Sequence, residues 1–220
     1  MRRDRKRRVS FLVSLIVCVF IGLTLVQNFV IFSTFVRSDS MESDISENSC
    51  LFVLPLSRNP KRGDVVYLSR LDGKKTTAFQ KFVDGFVSII TFQQVKPYEM
   101  TRRMTGKANV RRVLALPGDT IYMKDYILFV KPAGETQFLT EYELASKPYN
   151  IHIYSVPADW DGLGACGDLE ETVLKADECF VLADNRISSA DSRLWGPVKM
   201  DRIKGKVVLE FFPFRNFRFF

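Results

Sequence analysis

Two serines one residue apart, Ser38-Asp39-Ser40-Met41, follow a long apolar run and precede a β-rich region. A hydroxyl becomes a nucleophile only when a neighbouring base takes its proton. Serines are also common where a helix leaves a bilayer, so the pair alone is weak evidence of catalysis. Ser40 gains weight from a distant segment, Ala183-Asp184-Asn185-Arg186-Ile187-Ser188-Ser189-Ala190-Asp191-Ser192-Arg193, which is dense in hydroxyls and opposite charges. Other chemistries are thinly represented. One histidine, His152, and scattered cysteines do not form a zinc spacing, and there is no Gly-rich phosphate loop. No metal or cofactor is expected.

The elements that must position these serines begin with the N-terminus. Net charge is +7 over 220 residues, and much of the excess lies in Arg2-Arg3-Asp4-Arg5-Lys6-Arg7-Arg8. No helix-turn-helix, zinc or RNA-binding pattern accompanies it, so nucleic acid is not an expected partner and a membrane-facing role accounts for the charge. Phe11 to Val36 carries no charged residue. About 20 apolar residues span a bilayer core, and a small-x-small cleavage site is missing after the run. The pattern predicts an uncleaved signal anchor over 9–36, behind a basic cytoplasmic segment at 1–8. Gln27 and Asn28 are tolerated by helix contacts or at the interface. Residues 37–220 then lie outside the cytoplasm.

That region reads as a mainly antiparallel β domain. Strands are expected within 48–56, at 65–68, on either side of Leu116-Pro117-Gly118-Asp119, at 126–130 with Lys124-Asp125 at the bend, at 178–182 and at 204–212. Two stretches read as insertions, 70–109 and 132–176. In the first, Phe79, Phe82, Val83, Phe86, Val87 and Ile90 recur at helical spacing among Lys74, Lys75, Lys81, Arg102, Arg103 and Lys107. Packing on the domain and dipping into the membrane interface are both open to it. Glu135 to Trp160 reads as surface loops and short strands. Cys18 lies in the apolar run and Cys50 on a strand. In an oxidising compartment, Cys166 and Cys179 are able to pair. The aromatic tail 211–220, with Arg215 and Arg218 interleaved, fits either a capped last strand or rings resting on a membrane.

Four segments in order resemble one family, the type I signal peptidases (leader peptidases). Ser38-x-Ser40-Met41 resembles its nucleophile box, and Arg62-Gly63-Asp64-Val65-Val66 its next box. Arg112-Val113 through Leu116-Pro117-Gly118-Asp119 resembles the box that carries the catalytic lysine. Asp184-Asn185-Arg186 through Ser189-x-Asp191-Ser192-Arg193 resembles the closing box, and 205–214 is similar to the last strand. The resemblance implies cleavage of signal peptides from exported preproteins at the outer face of the cytoplasmic (inner) membrane, by a single-pass protein using a Ser/Lys dyad. By position, Ser40 is the nucleophile, Ser38 helps form the oxyanion hole, and Ser189 orients the base. Arg112, Asp184, Asp191 and Arg193 form a charged support. The expected partners are signal peptides, membrane lipid and the secretion machinery. Relatives select small side chains one and three residues before the cut, with Met41 and the strand near 51–53 as candidate pocket residues here.

The sequence departs from the family where it matters most. Arg111 stands at the lysine position, and a guanidinium stays protonated. Lys107 precedes it by about 13 Å of strand at roughly 3.3 Å per residue, and His152 reads as a surface residue. Ser43 and Asp44 stand where relatives prefer Pro and Thr, and Ala183 where Gly is usual; these are expected to alter local backbone only. Two functions follow: a peptidase with an unusual base such as Lys107 or another mobile lysine, or a catalytically weak or inactive relative that binds precursors or a partner.

Overall fold

The computed structural model describes residues 2–26, 30–57, 59–69, 109–153, 166–187 and 189–220, together with 77, 79, 80, 83, 86 and 87. Of the earlier expectations, Gln27, Asn28, Phe82, Ile90, Trp160, Lys107 and the other basic residues placed at 74–107 fall outside the described residues.

The charged start and the apolar residues after it form α1, Arg2–Leu25. Its apolar part, from Val9, covers about 26 Å at ~1.5 Å per residue, less than a hydrocarbon core of about 30 Å. Among the described residues, no helix is long and apolar enough to cross a membrane. The run expected to be one span over 9–36 divides: its end forms β1, Phe32–Phe35, which pairs antiparallel with β2, Cys50–Leu54. Strand pairing supplies partners for the backbone there, with Phe32 edge-on to Tyr67 at 5.4 Å between ring centroids.

The main sheet has the order β1-β2-β11-β3-β4-β9-β10, with β12 also on β11. Its remaining strands are β3, Val65–Leu68; β4, Asn109–Ala115; β9, Glu178–Leu182; β10, Val198–Lys199; β11, Ile203–Phe212; and β12, Arg218–Phe219. Alternation decides the two faces. Val65 and Tyr67 join the apolar cluster of Val36, Met41, Ile45, Leu51 and Val53, whereas Val66 and Leu68 join Val113, Val181, Val198 and Ile203 on the other side. Both faces are buried, which explains the unbroken apolar strands. β11 is the backbone of the sheet: its first half pairs with β3 and its second with β12 on the same flank, while β2 lies along the other. Gly205 passes so close to β2 that a Cβ would lie 2.5 Å from the Leu54 carbonyl oxygen.

A second sheet, β7-β6-β5-β8, packs beside it. It comprises β5, Thr120–Lys124; β6, Ile127–Lys131; β7, Leu139–Thr140; and β8, Leu169–Val173. The β5–β6 turn uses Asp125 and Tyr126 with φ of 51° and 66°, the two left-handed residues of the tight hairpin turn that suits strand twist. The 132–176 stretch is therefore not only a surface insertion. It supplies β7, β8, the short helix α2 (Glu141–Leu144) and the core residues Tyr149 and Leu174. Glu141 escaped notice because a carboxylate reads as surface. Here it is buried against the Arg186 guanidinium and also accepts from Tyr149 Oη.

In the 70–109 stretch, residues 79, 80, 83, 86 and 87 are helical, and Asn109 already belongs to β4. Phe86 lies 5.9 Å from the Phe20 ring of α1. The cysteine expectation is corrected: all four are free. Cys179 is buried and aimed at the Val198 carbonyl, while Cys166 is exposed.

Candidate active site

Ser40 sits on a 3-10 turn, Asp39–Met41, held between β1 and β2. Met41 and Ile45 are buried and pin this turn to the core. The Asn185 amide donates to the Ser40 carbonyl at 3.0 Å, so the closing loop holds the Ser40 turn through main chain. The same loop is held in turn by His152: its amide donates to Asp184 O and its carbonyl accepts from the Arg186 amide. His152 is thus half-buried and paired through its backbone with Asn185, not a residue of a loose surface loop.

Around Ser40 Oγ the structure brings together two of the expected groups, Ser38 and Arg111. Ser38 Oγ is 3.0 Å away, and Arg111 Nη1 donates to Ser40 Oγ at 2.8 Å. Ser189, the residue before Ala190, is buried, and its Oγ has no hydrogen-bond partner among the described residues. Arg111 reaches Ser40 because β4 is registered against β3 at Val66 and against β9 at Leu182 through Arg112. Its other donors are taken by main-chain oxygens: Nε and Nη2 to Ala190 O at 3.1 and 2.7 Å, and Nη1 to Val110 O at 2.6 Å. The Trp195 ring flanks the guanidinium at 5.7 Å. No carboxylate pairs with Arg111 among the described residues. Burial lowers its pKa to about 10, against the upward pull of Asp191 and Asp184.

The charged support is a set of separate pairs. Asp184 accepts from Arg112 Nε and Nη2 at 2.9 and 2.6 Å, the two-pronged geometry that guanidinium and carboxylate share. Arg112 also donates to Gly63 O at 2.8 Å and to Asp44 at 2.7 Å, and lies 4.1 Å over the Tyr149 ring. Burial would lower the Arg112 pKa, yet the Asp184 bond and the Asp44 charge raise it. Asp191 takes two bonds from Arg193 at 2.9 and 2.8 Å, accepts from the Ala183 amide and caps the short helix α3, Ser192–Trp195. The Arg62-Gly63-Asp64 stretch braces the frame: Arg62 pairs with Asp119 at 2.7 Å and Asp64 with Lys206 at 2.6 Å. Gly63 needs its φ of 89°, and a Cβ there would press on Ala145.

Sequence reasoning passed over Asp44, Asn185, Ala190, Trp195 and the buried set Glu141, Tyr149 and Arg186. Asp44, expected to affect backbone only, is an ion-pair partner of Arg112. Its partners are 68 and 174 residues away in sequence, and no local pattern marks such a pair.

The chain is similar to proteins of one family. A family profile described as "Signal peptidase, peptidase S26" matches residues 8–212. Signal peptidase I of Bacillus caldolyticus is 40% identical over 118 residues, 50% of this chain and 57% of that protein. Signal peptidase I P of Bacillus subtilis subsp. natto is 27% identical over 209 residues, covering 93% of this chain and 89% of that protein. Signal peptidase I U of Bacillus subtilis strain 168 is 33% identical over 118 residues, 53% of this chain and 56% of that protein.

Proposed function

Since the chain belongs to the signal peptidase family, peptidase S26, we propose that it hydrolyses the bond that joins a signal peptide to an exported preprotein, with Ser40 as nucleophile. One observation carries this reading: Ser40 Oγ lies between Ser38 Oγ at 3.0 Å and the buried Arg111 guanidinium at 2.8 Å. In the first step Ser40 Oγ bonds to the scissile carbonyl carbon and its proton passes to a base. The carbonyl oxygen becomes the oxyanion, near Ser38 Oγ and the Ser40 amide. The amine then leaves with a proton, and water releases the acyl group from Ser40.

Arg111 sets the rate. A guanidinium donates to Ser40 Oγ and cannot take its proton. Burial lowers its pKa to about 10, so the neutral form that is able to accept the proton is scarce at neutral pH and grows as pH rises. The proposed enzyme is therefore slow near neutrality and faster in alkali, with Ser189 orienting the base and Arg112, Asp184, Asp191 and Arg193 holding the frame. A second reading rests on the same bond. Every nitrogen of Arg111 already donates, which suits a weak or inactive relative that binds precursors.

Membrane attachment is part of the proposal. The basic start of α1 and its exposed Phe11, Leu12, Leu15 and Ile16 suit a cytoplasmic flank followed by lipid. The exposed rings of Phe212, Phe214, Phe217 and Phe219, beside Arg215 and Arg218, suit an outer domain resting on the bilayer.

The test is cleavage of a preprotein with an Ala-x-Ala site by the purified protein in detergent, beside Ser40→Ala and Arg111→Lys. Cleavage by the parent that disappears in Ser40→Ala supports the peptidase. A silent parent that Arg111→Lys activates supports the precursor-binding relative. Cleavage that persists in Ser40→Ala refutes both roles for Ser40.

A further inference from the structure

Residues 213–220 do more than extend the sheet. After the turn at 213–216 the chain doubles back on β11, pairing Phe219 with Leu209 and Arg218 with Glu210. This return delivers three contacts to the segment that follows the nucleophile. Asn216 Nδ2 donates to Ser46 Oγ at 2.9 Å. Arg218 Nη1 donates to Asp44 Oδ1 at 3.3 Å. The Phe220 ring packs on the cluster containing Met41 and Ile45, and its amide donates to Val208 O at 3.1 Å. The Arg218 guanidinium covers that ring at 5.2 Å.

Asp44 is the joint. Its Oδ2 takes Arg112, which holds Asp184 in the closing loop, while its Oδ1 takes Arg218. Glu210, buried and bonded by Ser49 Oγ, lies opposite Arg218. Charges therefore alternate from Glu210 through Arg218, Asp44 and Arg112 to Asp184. The turn they hold carries Ser43 at φ 124°, a conformation a residue with a Cβ seldom keeps unless its surroundings impose it. Ser43 Oγ adds a bond to Asn150 O at 2.5 Å.

We propose that residues 216–220 position the nucleophile: Arg218 and Phe220, acting through Asp44 and the Met41–Ile45 packing, fix the turn that aims Ser40 at the scissile carbonyl. Both act through other residues, Arg218 through Asp44 and Phe220 through the Met41–Ile45 packing, so both are positioning residues. The inference rests on the peptidase reading for its catalytic consequence and on geometry alone for its structural one.

Hydrogen exchange of the full chain in detergent, read on the peptide spanning residues 39–47, tests the structural part. Arg218→Ala and Phe220→Leu are expected to speed exchange there about tenfold while the β5–β6 hairpin is unchanged; Arg218→Lys is expected to restore the parent rate. Steady-state cleavage of the Ala-x-Ala preprotein tests the catalytic part: kcat falls about tenfold with KM unchanged. Unchanged exchange at 39–47 in both variants overturns the proposal. So does faster exchange spread evenly over the molecule, or a rise in KM with kcat intact. Faster exchange confined to 39–47, with no cleavage by parent or variant at any pH, upholds the strap and refutes the peptidase reading instead.

Discussion

Arg111 and Arg112 are neighbours on β4, equally buried at 4% exposure, and their side chains leave the strand in opposite directions. Arg112 meets two carboxylates and an aromatic face, and its pKa is raised. Arg111 meets two main-chain oxygens and a serine hydroxyl, and its pKa is lowered to about 10. The two positions share strand, burial and chemistry; only the partners differ. A cation that has a carboxylate is locked in its charged form and serves as framework. A cation that is buried without one has its pKa lowered, the direction that suits the base proposed beside Ser40. Arg186, buried against Glu141, falls on the framework side of this divide.

The contrast breaks most visibly from the framework side. Asp184→Ala leaves Arg112 buried with its main partner gone, and loss of one member of such a pair costs about 3–5 kcal/mol. Thermal unfolding should show a fall of about 10 °C or more. Arg111→Lys replaces the weakly titrating cation with one of lower intrinsic pKa; at pH 8, preprotein cleavage is expected to rise about 100-fold or more, the usual worth of a working general base. A pH profile sharpens the same point. The folded Arg111 pKa lies below its ordinary value, so the neutral, proton-accepting form grows as pH rises towards about 10. Cleavage by the parent should climb about tenfold per pH unit from 7 to 9, whereas Arg111→Lys should level off earlier; a flat parent profile would exclude Arg111 as the base. The smallest effect belongs to an ion pair outside both regions. Lys175, largely exposed beside Glu178, should lose less than about 0.5 kcal/mol on change to Ala, checked by urea unfolding.

Much of the main sheet was readable from apolar alternation and turns. The strands at 50–54, 65–68 and 178–182 follow from short β-branched and aromatic runs bounded by Pro, Gly or Asp, and the Pro117-Gly118 turn from a glycine with φ of 84°. The end of the run over 9–36 is a strand that its apolarity did not distinguish from more helix, because apolarity alone does not separate lipid from protein interior. Phe32–Phe35 is apolar for its place beside β2 and Tyr67. Glu141 misled in the other direction, since a lone carboxylate in sequence gives no sign of the arginine that will accompany it into the core.

For the site, the sequence by itself held the paired serines at 38 and 40 and the hydroxyl and charge content of the closing loop, and the resemblance of its ordered boxes to the signal peptidases marked the roles of Ser38 and Ser40 and the arginine where that family has a lysine. Those depend on side-chain chemistry, which the sequence states directly. Tertiary structure alone decided who pairs with whom: Arg111 with Ser40 across 71 residues, Arg112 with Asp184 across 72, Asp44 with Arg218 across 174. Strand register and long-range packing make those pairs, and an ionisable group acquires its working pKa only from the neighbours and the burial that such contacts create.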